Sequence, residues 1–69
     1  MDDIRYKRIS KRIRSARSLC GYSQAFMADQ LGISQNVYSK NERNIKSVPL
    51  VRMFKIASIL EVPIHRLLE

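Results

Sequence analysis

The sequence predicts an all-α fold, a compact bundle of five short helices. Three observations predict it. Apolar residues recur at spacings of three and four along most of the chain. No strand-like alternation runs for more than a few residues. Glycine, serine and proline fall where such helices would have to begin and end.

The first helix is expected over about residues 5–20. Tyr6, Ile9, Ile13, Ala16 and Cys20 form one apolar stripe, with cations over the remaining surface. Cys20 reads as a small core residue of that stripe. Gly21 supplies a left-handed stop. Ser23 then offers an N-cap oxygen to a second helix, about residues 24–31, with Met27, Ala28 and Leu31 turned inward and Gly32 ending it. Ser34 is the next N-cap, and the third helix spans about residues 35–43. Asn44 tolerates the left-handed conformation and is expected to close it. Residues 45–48 read as a loop. Pro49 suits the first turn of a fourth helix over about residues 49–60, with Leu50, Met53, Phe54, Ala57 and Leu60 facing the core. Pro63 opens a short fifth helix, residues 63–68, carrying Ile64, Leu67 and Leu68.

Length and charge narrow the function. At roughly 100–200 residues per domain, 69 residues make one domain, residues 1–69. A core of that size leaves no room for a large substrate cleft. Thirteen Lys and Arg against six Asp and Glu give a net charge of +7, which points to a polyanionic partner. Seven of those cations lie between Arg5 and Arg17, and no acid falls between Asp3 and Asp29. Cys20 and His65 are the single copies of their types, so neither a disulfide nor a cysteine-based zinc site is expected. No paired carboxylates, nucleophile–histidine–acid set or phosphate-cradling glycine loop is present. The chain therefore reads as a binding protein, not an enzyme, with no cofactor. The acidic opening Met1–Asp2–Asp3 has no signal-peptide core, and no apolar run approaches a membrane span. A cytoplasmic protein without membrane attachment is expected.

The second and third helices carry the sharpest signal. Two short helices joined by Gly32–Ile33–Ser34 describe a helix-turn-helix. Taking Gln35 as zero at about 100° per residue, Asn36, Ser39, Lys40 and Arg43 fall at roughly 100°, 40°, 140° and 80°. Val37, Tyr38, Asn41 and Glu42 fall on the opposite arc. The outer arc holds Gln, Asn, Ser, Lys and Arg, with no acid to repel phosphate. Glutamine and asparagine pair with the N6/N7 edge of adenine, and lysine with O6/N7 of guanine.

At these residues the chain resembles the lambda-repressor/Cro-like helix-turn-helix family of bacterial and phage transcriptional regulators. The resemblance covers about residues 4–68 and rests on Ser23–Gln24, Ala28, Leu31–Gly32–Ile33–Ser34–Gln35 and Glu42–Arg43 in combination. It implies a sequence-specific double-stranded DNA-binding regulator whose third helix enters the major groove. Gln35, Asn36 and Lys40 match base-reading positions, with Ser39 a further contact on the same face. Gln24 matches a glutamine that binds phosphate and braces the recognition helix, and Ser34 a phosphate-binding N-cap. Arg43, Asn44 and Lys46 match the turn that approaches the backbone. Arg17 and Glu42 match a partly buried ion pair whose arginine can also face a phosphate. Arg14 is a further phosphate candidate from the first helix.

Such domains gain affinity as dimers on palindromes with half-sites about one helical turn apart. A homodimer through Ile64, Leu67 and Leu68 is expected, the alternative being that these residues finish the monomer core. A protein partner, such as a toxin or polymerase, is a further expectation. An interaction module or antitoxin on the same fold is the alternative function. Four positions depart from the family pattern. Asn41 replaces an apolar residue behind the recognition helix, leaving the seal there looser or hydrogen-bonded. Phe26 replaces a polar surface residue, Leu19 and Cys20 replace polar positions, and Glu61 stands where glycine is common. Phe26 is either an association contact or an isolated exposed aromatic.

Overall fold

The computed structural model describes residues 2–69. Met1, part of the acidic opening, lies outside the described residues. Five α-helices follow in order: α1 (Asp2–Cys20), α2 (Gln24–Leu31), α3 (Gln35–Arg43), α4 (Leu50–Leu60) and α5 (Ile64–Leu68). No strand occurs among the described residues. The first helix begins earlier than residue 5 because nothing from Asp2 to Ile4 breaks it.

Local chemistry accounts for the boundaries. Ser23, in extended conformation, accepts from the Phe26 N–H at 3.0 Å, and Ser34 accepts from the Val37 N–H at 3.1 Å. Each hydroxyl satisfies a helix N–H that has no partner within the helix. Gly32 sits at φ +68°, and the next N–H, of Ile33, returns to the Ala28 carbonyl at 3.0 Å. That reversal closes α2 in the left-handed manner that glycine adopts without a Cβ penalty. The same geometry ends α4 at a residue with no such freedom: Glu61 takes φ +56° and ψ +41°, and the Val62 N–H returns to Ala57 at 3.1 Å.

The exit from α3 and the starts of α4 and α5 also depart from expectation. Asn44 is not left-handed but sits at φ −130° and ψ 88°. The chain leaves α3 through one 3₁₀ turn, Ile45–Ser47, in place of an open loop. Burial of Ile45 draws the chain inward there, and the Ser47 hydroxyl donates to the Asn44 carbonyl at 2.7 Å. Pro49 and Pro63 occupy the N-cap positions of α4 and α5, one residue before each helix.

The core gathers Ile9 and Ile13 of α1, Met27 and Ala28 of α2, Tyr38 of α3, and Met53, Ile56, Ala57 and Leu60 of α4. Leu67 closes it from α5. Several inward assignments change. Ile56, not Phe54, takes the inner position of α4, and Phe54 is 53% exposed. With Met53 as zero, Ile56 and Leu60 lie within about 60° of it on the buried side. Phe54 sits about 100° away, on the flank. Leu50 is exposed as well. Cys20 is also exposed, because α1 ends there and outruns the elements that cover its stripe. Phe26 stacks on Tyr22 with ring centroids 4.4 Å apart. The Leu67 side chain is only 3% exposed and Ile64 is partly buried against the core, whereas Leu68 reaches solvent.

Candidate nucleic-acid interface

The third helix turns three side chains inward: Tyr38, Asn41 and Glu42 are buried. Gln35, Asn36, Lys40 and Arg43 are exposed, and Ser39 is half-buried. Val37, expected on the inner arc, is exposed instead. The buried arc spans only about 100°, from Asn41 to Glu42, and Val37 lies just beyond its edge. The exposed face of α3 therefore carries amides, cations and one small apolar group, while its one acid is turned inside.

That acid is the hub of the site. Glu42 accepts from Arg17 Nε at 2.8 Å and Nη2 at 3.0 Å, a two-pronged pairing. Gln24 Nε2 donates to the same carboxylate at 3.1 Å, and the Tyr38 hydroxyl donates at 2.6 Å. The Ser10 hydroxyl donates to the Glu42 backbone carbonyl. Arg17 also reaches the Tyr22 carbonyl through Nη1 at 2.9 Å. Helices α1, α2 and α3 thus meet at one carboxylate.

The electrostatics follow from the geometry. Burial alone would raise the Glu42 carboxyl, but the donors from Arg17, Tyr38 and Gln24 outweigh it and hold the group below the usual carboxylate range. The hydrogen bond to Glu42 raises the Arg17 guanidinium against the opposing effect of burial. Burial, followed by its hydrogen bond to Glu42 and then the Glu42 charge, pushes the Tyr38 hydroxyl well up. At neutral pH the hub is an ion pair with a neutral tyrosine. Arg17 and Gln24 spend these donors inside the protein, and they meet behind α3.

Asn41 is hydrogen-bonded, which answers one of the two possibilities left by its departure from the family pattern. Its Oδ1 accepts from Arg52 Nη1 at 2.8 Å, and its Nδ2 donates to Ser47 Oγ at 3.3 Å. A buried amide thereby ties α3 to α4 and to the following turn. Arg52 gave no signal in the sequence, because its partner is eleven residues away and on another helix.

Two shallow depressions flank the C-terminal end of α3. One, of about 430 Å³, is lined by Val37, Lys40 and Arg43 among others. The other, of about 230 Å³, lies between Lys7, Arg43, Asn44 and Lys46. The expected backbone-facing residues Arg43, Asn44 and Lys46 are thus brought together, and Lys7 joins them from α1. Sequence reasoning had not singled out Lys7 or Val37. The Lys46 ammonium lies 5.3 Å from the Tyr6 ring centre, a cation–π contact that holds the turn against α1. Arg14 is exposed on α1 and lines neither depression. Ser34 is exposed at the N-terminus of α3. Among the described residues no group of three or more His, Cys, Asp or Glu side chains could hold a metal ion. No helix among them is long and apolar enough to cross a membrane.

Comparison with known proteins places this geometry. No curated protein sequence matches the chain. One similar solved structure is that of the master regulator for biofilm formation SinR in complex with DNA, at 32% identity and a TM-score of 0.73. The match covers 88% of this chain and 98% of that one. The helix-turn-helix family model matches residues 13–67. These residues include α2, α3 and the Arg17–Glu42 pair, and the chain belongs to the lambda-repressor/Cro-like helix-turn-helix family of transcriptional regulators.

Proposed function

We propose that the protein is a sequence-specific regulator that binds double-stranded DNA through α3, as a homodimer on a palindromic operator. The observation that carries this reading is the exposed, acid-free face of α3, braced from beneath by the buried Glu42 hub. A rigid helix with Gln35, Asn36 and Lys40 outward can sample base edges. Val37 adds a small apolar group suited to a thymine methyl. Ser39 is a secondary contact. Ser34, Arg43, Asn44, Lys46, Lys7 and Arg14 hold the phosphates and set register. Gln24 and Arg17 act mainly from behind, by fixing the orientation of α3. The similarity to the SinR structure, solved in complex with DNA, supports DNA as the partner. Function is binding without chemistry, in the cytoplasm, and repression or activation follows from where the operator lies.

Leu68 is the exposed member of the α5 trio and the proposed centre of the dimer contact, with Ile64 beside it.

The test is selection of sites from a randomised duplex library with purified protein at near-physiological salt. Enrichment of a palindrome supports the whole reading, and its half-site spacing reports the dimer. A single short site keeps DNA recognition and removes the dimer. No enrichment by folded protein overturns the reading. With six phosphates neutralised per dimer, affinity should fall on the order of a thousandfold from 50 to 200 mM salt.

A further inference from the structure

The α1 cations do not all serve one face. At about 100° per residue, Lys7, Arg14 and Arg17 cluster on the side of α1 that meets α3. Arg8, Lys11 and Arg12 centre roughly 130° around the helix from them. They line a separate groove of about 550 Å³ between α1 and α5, joined by Arg66. Its apolar lining includes the half-buried Ala16 and Val62, and Leu19, which is 89% exposed.

The accessible groups of this groove point to one kind of occupant. Arg8, Lys11 and Arg66 form no ion pair among the described residues. Arg12 Nε is buried with no acceptor among them, although Arg12 Nη1 reaches the Arg66 carbonyl at 3.3 Å. The same Nη1 already holds a carboxylate, that of Glu69, at 3.4 Å. A basic rim that already holds one carboxylate and an apolar lining complement a chain with acids flanking an apolar stripe. A second copy of this protein would set like charges against one another. A duplex would offer phosphates to the rim but nothing apolar to cover Leu19.

We propose that the α1/α5 groove is a second binding face, for an acidic amphipathic segment of a partner protein. It lies away from the α3 face, so regulator and partner can meet while DNA is held. Charge steers the encounter and the apolar lining retains the partner.

The probe is a synthetic helical peptide with a leucine stripe flanked by glutamates. Its control has the same composition scrambled to remove the stripe. Binding is followed by amide chemical shifts of the isotope-labelled full chain. The striped peptide is expected to perturb Arg8, Lys11, Ser15, Leu19, Val62 and Arg66, and to bind at least about tenfold tighter than the control. Leu19→Asp, at a fully solvated position, and Arg66→Glu should each weaken it about tenfold and leave affinity for a DNA duplex unchanged. Glu69→Gln should strengthen it about two- to fivefold by removing the competing carboxylate. Shifts confined to α3, equal binding of the scrambled control, or binding only to vesicles containing anionic lipid would each overturn the proposal. DNA binding is read separately in the same samples, so failure here is distinct from failure of the DNA reading.

Discussion

Replacing Glu42 with alanine should remove most of what holds α3 in place against α1 and α2. The wild-type carboxylate terminates four side-chain hydrogen bonds, two from Arg17 and one each from Gln24 and Tyr38. Its side chain is 3% exposed and that of Arg17 is 14% exposed. The substitution leaves a partly buried guanidinium and a buried phenol without their acceptor. Breaking one side of such a pair costs about 3–5 kcal/mol, far beyond the ~0.2–1 kcal/mol of a surface pair. A domain of this length has roughly 3–10 kcal/mol in total. The variant should therefore be marginal or unfolded at 37 °C. Urea unfolding followed by far-ultraviolet circular dichroism at pH 7 measures the loss. A companion triple variant, Arg17→Met with Tyr38→Phe and Glu42→Leu, removes the ion pair and the phenol hydroxyl together, leaves only the half-buried Gln24 amide without its acceptor, and should regain most of the stability. A loss below about 1 kcal/mol in Glu42→Ala would refute the reasoning, because it would class the pair with exposed ones.

Other outcomes follow from the same structure. Glu61→Gly should raise stability by about 0.5–1 kcal/mol, since it relieves a left-handed side-chain residue at a modest entropic cost in the unfolded chain, and a rise in melting temperature would report it. The Glu42 carboxyl binds its proton less tightly folded than unfolded, so its stabilisation is complete above the ordinary value of 4.5 and is lost as pH falls through the lower folded value. Unfolding midpoints measured from pH 7 down to pH 3 should show that acid limb, and Glu42→Gln should flatten it. Asn41→Ala should cost about 1–3 kcal/mol by removing the partner of Arg52, and chemical unfolding of the variant measures it. Lys40→Ala should relax preference at one base position, whereas Arg14→Ala should weaken all sequences alike and reduce the salt slope by about one, both read by titration of a duplex series.

Much of this site was legible because its signals are local. Ser23 and Ser34 cap helices by reaching three residues ahead, and Gly21 and Gly32 supply the left-handed backbone of the following turns. The outward face of α3 followed from angular spacing, apart from Val37 at its edge. The illegible parts depend on distant neighbours. Phe54 and Ile56 are both apolar and two residues apart, and only the packing of α4 against the other helices decides which is buried. Asn41 looks like a defect until Arg52 and Ser47 are seen beside it.

The sequence by itself determined the helices, their caps and the acid-free surface of α3, because period and capping act over three or four residues. Only the tertiary structure decided where the α1 cations point. A run of seven basic residues reads as one field, yet the helix turns some toward α3 and others toward the groove beside α5. The tertiary structure also decided that Glu42 is shared among Arg17, Gln24 and Tyr38, since a buried carboxylate gathers its donors by proximity in space.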